Sequence, residues 1–406
     1  MAHTSEAAGL SVKRLQRLRE AMARYVERGE IAGAALLVSR RGQVWAETVG
    51  CQDRDRADPM RRDTLFRVAS MSKPVTAVAA MILVEEGRLG LDEPLDEWLP
   101  ELAQRRVLRR IDGPLEDTEP ARRALTLRDL LTFRMGFGTI LAPSESYPIQ
   151  QAIDTLHIWG RKPMPPHLPD EWLRRLGTLP LMYQPGERWM YHTGADVAGV
   201  LIARAAGQPF ESFLRERIFE PLGMRDTGFH VPADKLERLA TCYQENPLTG
   251  SISLFDDARE SQWSRPPAFP SGGSGLVSTL DDYHAFAQMM LHQGRLGDVR
   301  ILARPTVQAM STDQLTAEQK GKSTAFFPSF WEARGWGFGM AVITRRDGPS
   351  SNPGRFGWDG VYGTSWYSDP QEGLVGILMI QRLGFAPTIT GINADFWTLV
   401  YQAIED

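Results

Sequence analysis

Apolar residues recur at Leu15, Leu18, Met22 and Tyr25, one face of a 3.6-residue period, and predict an amphipathic helix over residues 11–28. The runs GAALLVSR (33–40) and QVWAETVG (43–50), separated only by Arg41-Gly42, predict a β-hairpin. From Met71 to Val84 almost every residue is apolar, as in a helix buried on all sides. Further helices are predicted over 126–133, 196–207, 209–223, from about Thr279, and over 393–405. Strands are predicted over GWGFGMAVITR (335–345), YGTSWYSDP (362–370) and GLVGILMIQ (373–381). Residues 103–123, dense in arginine and acid, read as a solvated excursion, and 136–187 as chain rich in proline and aromatics with little periodicity. Strands therefore lie towards both ends, with mostly helix and loop between. The economical arrangement is one sheet drawn from both ends, with an inserted helical region.

Composition narrows the chemistry. The 406 residues are 42% apolar and 24% charged, ordinary for a globular protein, and the net charge of −4 gives no reason to expect a nucleic-acid partner. Cys51 and Cys242 are the only cysteines, which excludes a disulfide framework and a cysteine-based zinc site. The seven histidines form no H-E-x-x-H or H-x-H pattern, so no metal is expected. No stretch is apolar for long enough to span a membrane, and residues 1–22 lack the apolar run of a signal peptide. The expectation is a cytoplasmic protein without a membrane partner; oligomeric state is not set by the sequence.

One residue breaks the buried-helix pattern. Lys73 lies near its N-terminus, where Pro74 suits the first turn. Burial and the helix dipole both oppose the charged form of a lysine placed there. Ser70 stands one turn earlier, and among the six lysines only Lys73 has a serine three positions before it. A lysine kept neutral is a base, and a serine within its reach becomes a nucleophile. The plainer alternative makes Ser70 a helix cap and lets Lys73 reach out to water. No G-x-S-x-G is present, His284 reads as a helix-surface residue, and Asp281 and Asp282 read as first-turn helix acids. A Ser–Lys pair needs a third group to protonate the leaving group, and Tyr191, in PGERWMYHTGADVAGVL, is the candidate.

Four ordered segments together resemble a known family. Ser70-Met71-Ser72-Lys73 resembles the S-x-x-K motif of serine β-lactamases and penicillin-binding proteins. PGERWMYHTGADVAG resembles the segment that carries the Y-x-N motif. SGGSGLVSTLDDY resembles the glycine run of the same enzymes, and FGWDGVYGTSWYSDP (356–370) resembles their third motif. That motif is K-T-G in class C β-lactamases and W-G-G in family VIII carboxylesterases, and Trp358 makes the esterases the nearer match. The resemblance implies an α/β (α+β) β-lactamase/transpeptidase-like fold, an antiparallel sheet flanked by helices plus an inserted mostly helical domain. Residues 1–89 and 286–406 would form a discontinuous α/β domain and 90–285 the insertion, with the active site in the cleft between them. It also implies Ser70 as the acylated nucleophile, Lys73 as general base, Tyr191 as proton shuttle, and the backbone N–H groups of Ser70 and Val361 as oxyanion hole.

This sequence departs from the pattern in places. Y-x-N is Tyr191-His192-Thr193, and W-G-G is Trp358-Asp359-Gly360. Trp358 cannot pair with a substrate carboxylate as a lysine would. The expected substrate is a small neutral ester with a short acyl chain, bound near Trp358, Asp359, Gly360, Phe137 and Tyr243. An esterase of this kind is expected to need no cofactor. Trp159, Trp172, Trp189, Trp331, Trp336 and Trp366 are available to line its pocket, with core packing as the alternative for each. Acyl transfer, residual β-lactamase action, or a non-catalytic sensor on the same fold are the rival readings.

Overall fold

In the computed structural model, residues 8–406 are described except 141, 144–145, 160–164, 247–250, 324–325, 327–328 and 385–386; for 387–390 only the backbone is. The N-terminal helix spans Val12–Glu27. The hairpin pairs Gly33–Arg40 with Gln43–Asp53, and its turn residues Arg41 and Gly42 take φ of +48° and +81°. Two left-handed residues suit the twist of the strands they join.

The hairpin belongs to an eight-stranded sheet. From one edge the order is Arg334–Trp336, Ala341–Ile343, Phe356–Asp359, Ser365–Asp369, Leu374–Met379, Gly33–Arg40, Gln43–Asp53 and Asp58–Pro59. Every neighbouring pair is antiparallel. Both ends of the chain thus meet in the sheet, where Leu37 lies opposite Ile377.

Side chains alternate across that sheet. Ala34, Leu36 and Val38 pack with Leu15, Leu18 and Met22 of the first helix and with Phe396 and Val400 of the last, Pro387–Gln402. Ala35 and Leu37 face the other way, into the larger core with Val75, Val78 and Phe286. Gly33–Arg40 is buried on both faces, which is why it reads as an unbroken apolar run.

The buried helix is Ser72–Glu85, and all its residues from Ser72 to Leu83 are buried. It packs on the helix Thr193–Ala206. Thr126 caps Leu127–Leu131 with a reciprocal bond to Asp129, and Thr279 caps Leu280–Leu291. Cys51 and Cys242 are free thiols. Among the described residues no helix is long and apolar enough to cross a membrane.

Several sequence expectations need correction. The strand expected over 335–345 is a hairpin of two short strands, because Gly337 and Gly339 turn the chain against Met310 and Lys73. The stretch 103–123 is not wholly solvated. Arg106–Leu108 pairs with Thr118–Pro120, and buried Arg105 donates to the carbonyls of Gly177 and Leu179. Within 136–187 lie two helices, Pro148–Thr155 and Pro169–Thr178, each begun by a proline that needs no N–H there. The helix predicted over 209–223 widens to a π turn at Arg215–Phe219, just before Pro221. Proline has no N–H to continue the α pattern and crowds the preceding turn.

Candidate active site

Ser70 sits in a single 3₁₀ turn, Ala69–Met71, that runs into the Ser72–Glu85 helix. Ala69 holds φ at +45°, a left-handed conformation uncommon for any residue but glycine. The surroundings hold this turn in place. Val68 N–H donates to Leu276 O at 3.0 Å, and Tyr283 Oη donates to Met71 O at 2.8 Å. Behind it, Arg67 and Asp256 form an ion pair buried from water, with Ser261 donating to the same carboxylate at 2.6 Å.

The glycine-rich segment 271–276 lies along the start of the helix. Leu276 N–H donates to Ser72 Oγ at 3.1 Å, and Thr76 Oγ1 donates to Gly272 O at 2.8 Å. A Cβ on Gly272 would lie 2.5 Å from Ala195 O, so glycine is what lets the two backbones approach.

Lys73 Nζ lies 2.8 Å from Ser70 Oγ and donates to Gly273 O at 2.6 Å. The lysine is 1% exposed. Burial lowers its pKa from 10.5 to about 7, against the opposing pull of Asp196. It therefore does not reach out to water, and near neutral pH a large fraction is the free amine. Tyr191 precedes the Thr193–Ala206 helix, and its ring centroid is 4.5 Å from Lys73 Nζ. Burial pushes the Tyr191 hydroxyl well above the usual phenol range, while hydrogen bonds with Ser70 and Trp358 pull it back. Ser70, Lys73 and Tyr191 thus meet at one point.

Trp358 donates its indole N–H to Tyr191 Oη at 2.7 Å. Its ring meets Trp336 edge to face at 4.6 Å, and Phe133, Trp189 and Phe330 complete an aromatic wall behind Tyr191. Asp359 points away. It accepts from Ser365 Oγ and from Tyr367 Oη at 3.2 Å, and burial raises its pKa. The turn that carries Gly360 and Val361 is fastened two residues ahead of Ser70, since Thr364 Oγ1 donates to Val68 O at 3.2 Å.

Residues 18–393 match the Beta-lactamase family. The chain belongs to that family. Protein Rv1367c of Mycobacterium tuberculosis is 42% identical over 362 residues, 87% of this chain and 86% of that protein. Esterase EstB of Burkholderia gladioli is 33% identical over 370 residues, 86% of each chain. Among solved structures, EstCE1, described as a hydrolase with promiscuous acyltransferase activity, is similar with a TM-score of 0.78. It is 26% identical, with 96% of this chain and 98% of that one covered.

In this Beta-lactamase-family chain the other expected positions divide. Thr193 is buried, and its hydroxyl accepts from Trp159 Nε1 at 3.1 Å. Phe137 is fully buried, 6.4 Å from the Trp159 ring. Tyr243 is not brought to Ser70 by any described contact; its hydroxyl accepts from Arg54 N–H at 2.8 Å. Trp172 and Trp366 belong to the core, whereas Trp189, Trp331 and Trp336 cluster with Tyr191 and Trp358. His284 is half-buried beside Gln288 Nε2 at 3.0 Å, and burial lowers its pKa to about 4.

Sequence reasoning missed Asp196, Ser271 and Gly273. Asp196 read as the start of a helix, yet it is buried, and Gly273 holds the lysine. Among the described residues no cluster of three or more His, Cys, Asp or Glu could hold a metal ion.

Proposed function

We propose that this chain is a serine carboxylesterase acting on small neutral esters with short acyl chains. One observation carries the reading: a buried lysine with a pKa of about 7 lies 2.8 Å from Ser70 Oγ. Ser70 Oγ attacks the ester carbonyl carbon as its proton passes to Lys73. The tetrahedral oxyanion is held by the N–H groups of Ser70 and Val361. The C–O bond to the alcohol breaks as Tyr191 gives its proton to the leaving oxygen and takes one from Lys73, and the acyl group stays on Ser70. Water then attacks the acyl-enzyme by the same path and releases the acid.

Trp358 supports a neutral substrate. It stands where a cation would meet a carboxylate, and its only N–H is committed to Tyr191. The likeness to EstB supports ester hydrolysis. The two-ended sheet supports a cleft between residues 1–89 with 286–406 and residues 90–285. The promiscuous acyltransferase activity described for EstCE1 favours a second reading, transfer of the acyl group from Ser70 to an alcohol.

The test is turnover of p-nitrophenyl butyrate by the wild type and by Ser70→Ala. Activity in the first and silence in the second is expected; equal behaviour removes Ser70 as nucleophile. Adding an alcohol acceptor and measuring the new ester against free acid separates hydrolysis from transfer.

A further inference from the structure

A buried carboxylate lies behind Lys73. Asp196 is in the first turn of the Thr193–Ala206 helix, and its Oδ1 accepts from Ser271 Oγ at 2.6 Å and from Gly273 N–H at 3.0 Å. Ser271 Oγ also accepts from Ser274 N–H at 3.0 Å. That N–H belongs to the same peptide group as Gly273 O, the carbonyl that accepts from Lys73. Donors and acceptors therefore run head to tail. Lys73 donates to Gly273 O, Ser274 N–H donates to Ser271, and Ser271 donates to the carboxylate. Each bond in such a chain polarises the next.

We propose that Asp196 is a positioning residue for Lys73, acting through Ser271 and the Gly273–Ser274 peptide group. A neutral amine has two N–H bonds and one lone pair. Fixing one N–H on an immobile carbonyl helps turn the lone pair towards Ser70 Oγ, where it must receive the proton. Gly273 suits this role, because a Cβ there would crowd Asp196 Oδ1 at 3.2 Å. The charged and titratable groups around the lysine are Asp196 from its helix, Tyr191 and His192 from the loop before it, and Asp359 through Tyr191. Of these, Asp196 acts on Lys73 directly and favours its protonated form. A first-turn acid also suits the helix dipole, but that role would change stability alone.

The inference rests on the esterase reading, and its test separates the two. Wild type, Asp196→Asn, Ser271→Ala and Ser271→Thr are compared for p-nitrophenyl butyrate hydrolysis against pH, for the rate at which a fluorophosphonate labels Ser70, and for melting temperature. Asp196→Asn should slow labelling and kcat at least about tenfold, a part of the roughly 10²–10⁴-fold that acid–base catalysis supplies, with KM little changed. Burial raises the Asp196 pKa against the hydrogen bonds from Ser271 and Gly273 and the pull of Lys73. To the extent that Asp196 is ionised, its loss should move the acid limb of the kcat/KM profile to lower pH. Ser271→Ala should slow labelling without moving that limb, and Ser271→Thr should restore most of the rate. If Asp196→Asn does not fold, Ser271→Ala decides. Variants that label as fast as wild type, or whose losses track a lower melting temperature alone, overturn the proposal. Wild type that is not labelled at Ser70 overturns the esterase reading and this one with it.

Discussion

The indole N–H of Trp358 points at the hydroxyl oxygen of Tyr191, 2.7 Å away, which ties the third motif to the tyrosine that the proposed mechanism puts on its proton path. A lysine there could offer charge to a ligand; the tryptophan offers a single dipole to a neighbour. Its ring also closes the aromatic wall against Trp336.

Trp358→Phe keeps the ring and removes the donor. A net hydrogen bond of about 0.5–1.5 kcal/mol predicts a fall in kcat of roughly two- to tenfold, with KM nearly unchanged. The Trp358 bond lowers the Tyr191 pKa, so its loss should shift any basic limb owed to Tyr191 upwards. Steady-state kinetics against pH checks both, and an unaltered kcat would take Trp358 out of the proton path.

Gly360→Ala tests the turn beside Ser70. The added methyl would lie 2.5 Å from Val68 O and closer still to Thr364 Oγ1. The turn must lift, and the Val361 N–H moves with it. Losing one oxyanion donor costs roughly 10²–10³-fold in kcat, which is the size of effect expected here. Gly321→Ala, where a Cβ meets nothing within 4 Å, is the control and should match the wild type.

Lys73 should link stability to pH. Its pKa is about 7 when folded, against an ordinary value of 10.5 that the unfolded chain would show. Between those values the unfolded state binds the extra proton, so raising the pH favours the fold across that window. Below about 7 both states are protonated and the full penalty of burying the charge applies. Urea unfolding of wild type and Lys73→Met should therefore show the wild type gaining on the variant from about pH 7 to about pH 9.5. Activity of the wild type should rise with pH through the same lower value. A difference between the two proteins that stays constant with pH would mean the folded lysine is not depressed.

The hairpin, the buried helix and the Ser70–Lys73 pair were legible because each is local. A turn of two residues, an apolar run and a three-residue spacing all lie within one segment. Tyr191 lies far along the chain from Lys73, and the chemistry named it as a candidate that the family pattern then reinforced. Asp196 could not be connected to Lys73, because Ser271 and Gly273 reach both only after the chain has folded back between distant segments. The helices Pro148–Thr155 and Pro169–Thr178 were obscured by their prolines, although a proline at the first helical position is itself a start signal. Tyr243 had no local pattern to place it, and its hydroxyl serves the loop at Arg54.

The pairing of Gly33–Arg40 with Leu374–Met379 carries a cost in time. On the ribosome the first of these strands emerges early and must wait for nearly the whole chain to be made before its neighbour exists. Until then its apolar edge has only the hairpin partner for company, and the nascent protein needs shelter from wrong pairing. Contacts between such distant segments also slow the closing of the sheet once synthesis ends. This architecture favours a sheet that closes late, and the Ser70 turn, fastened to it where Thr364 Oγ1 donates to Val68 O, settles no earlier.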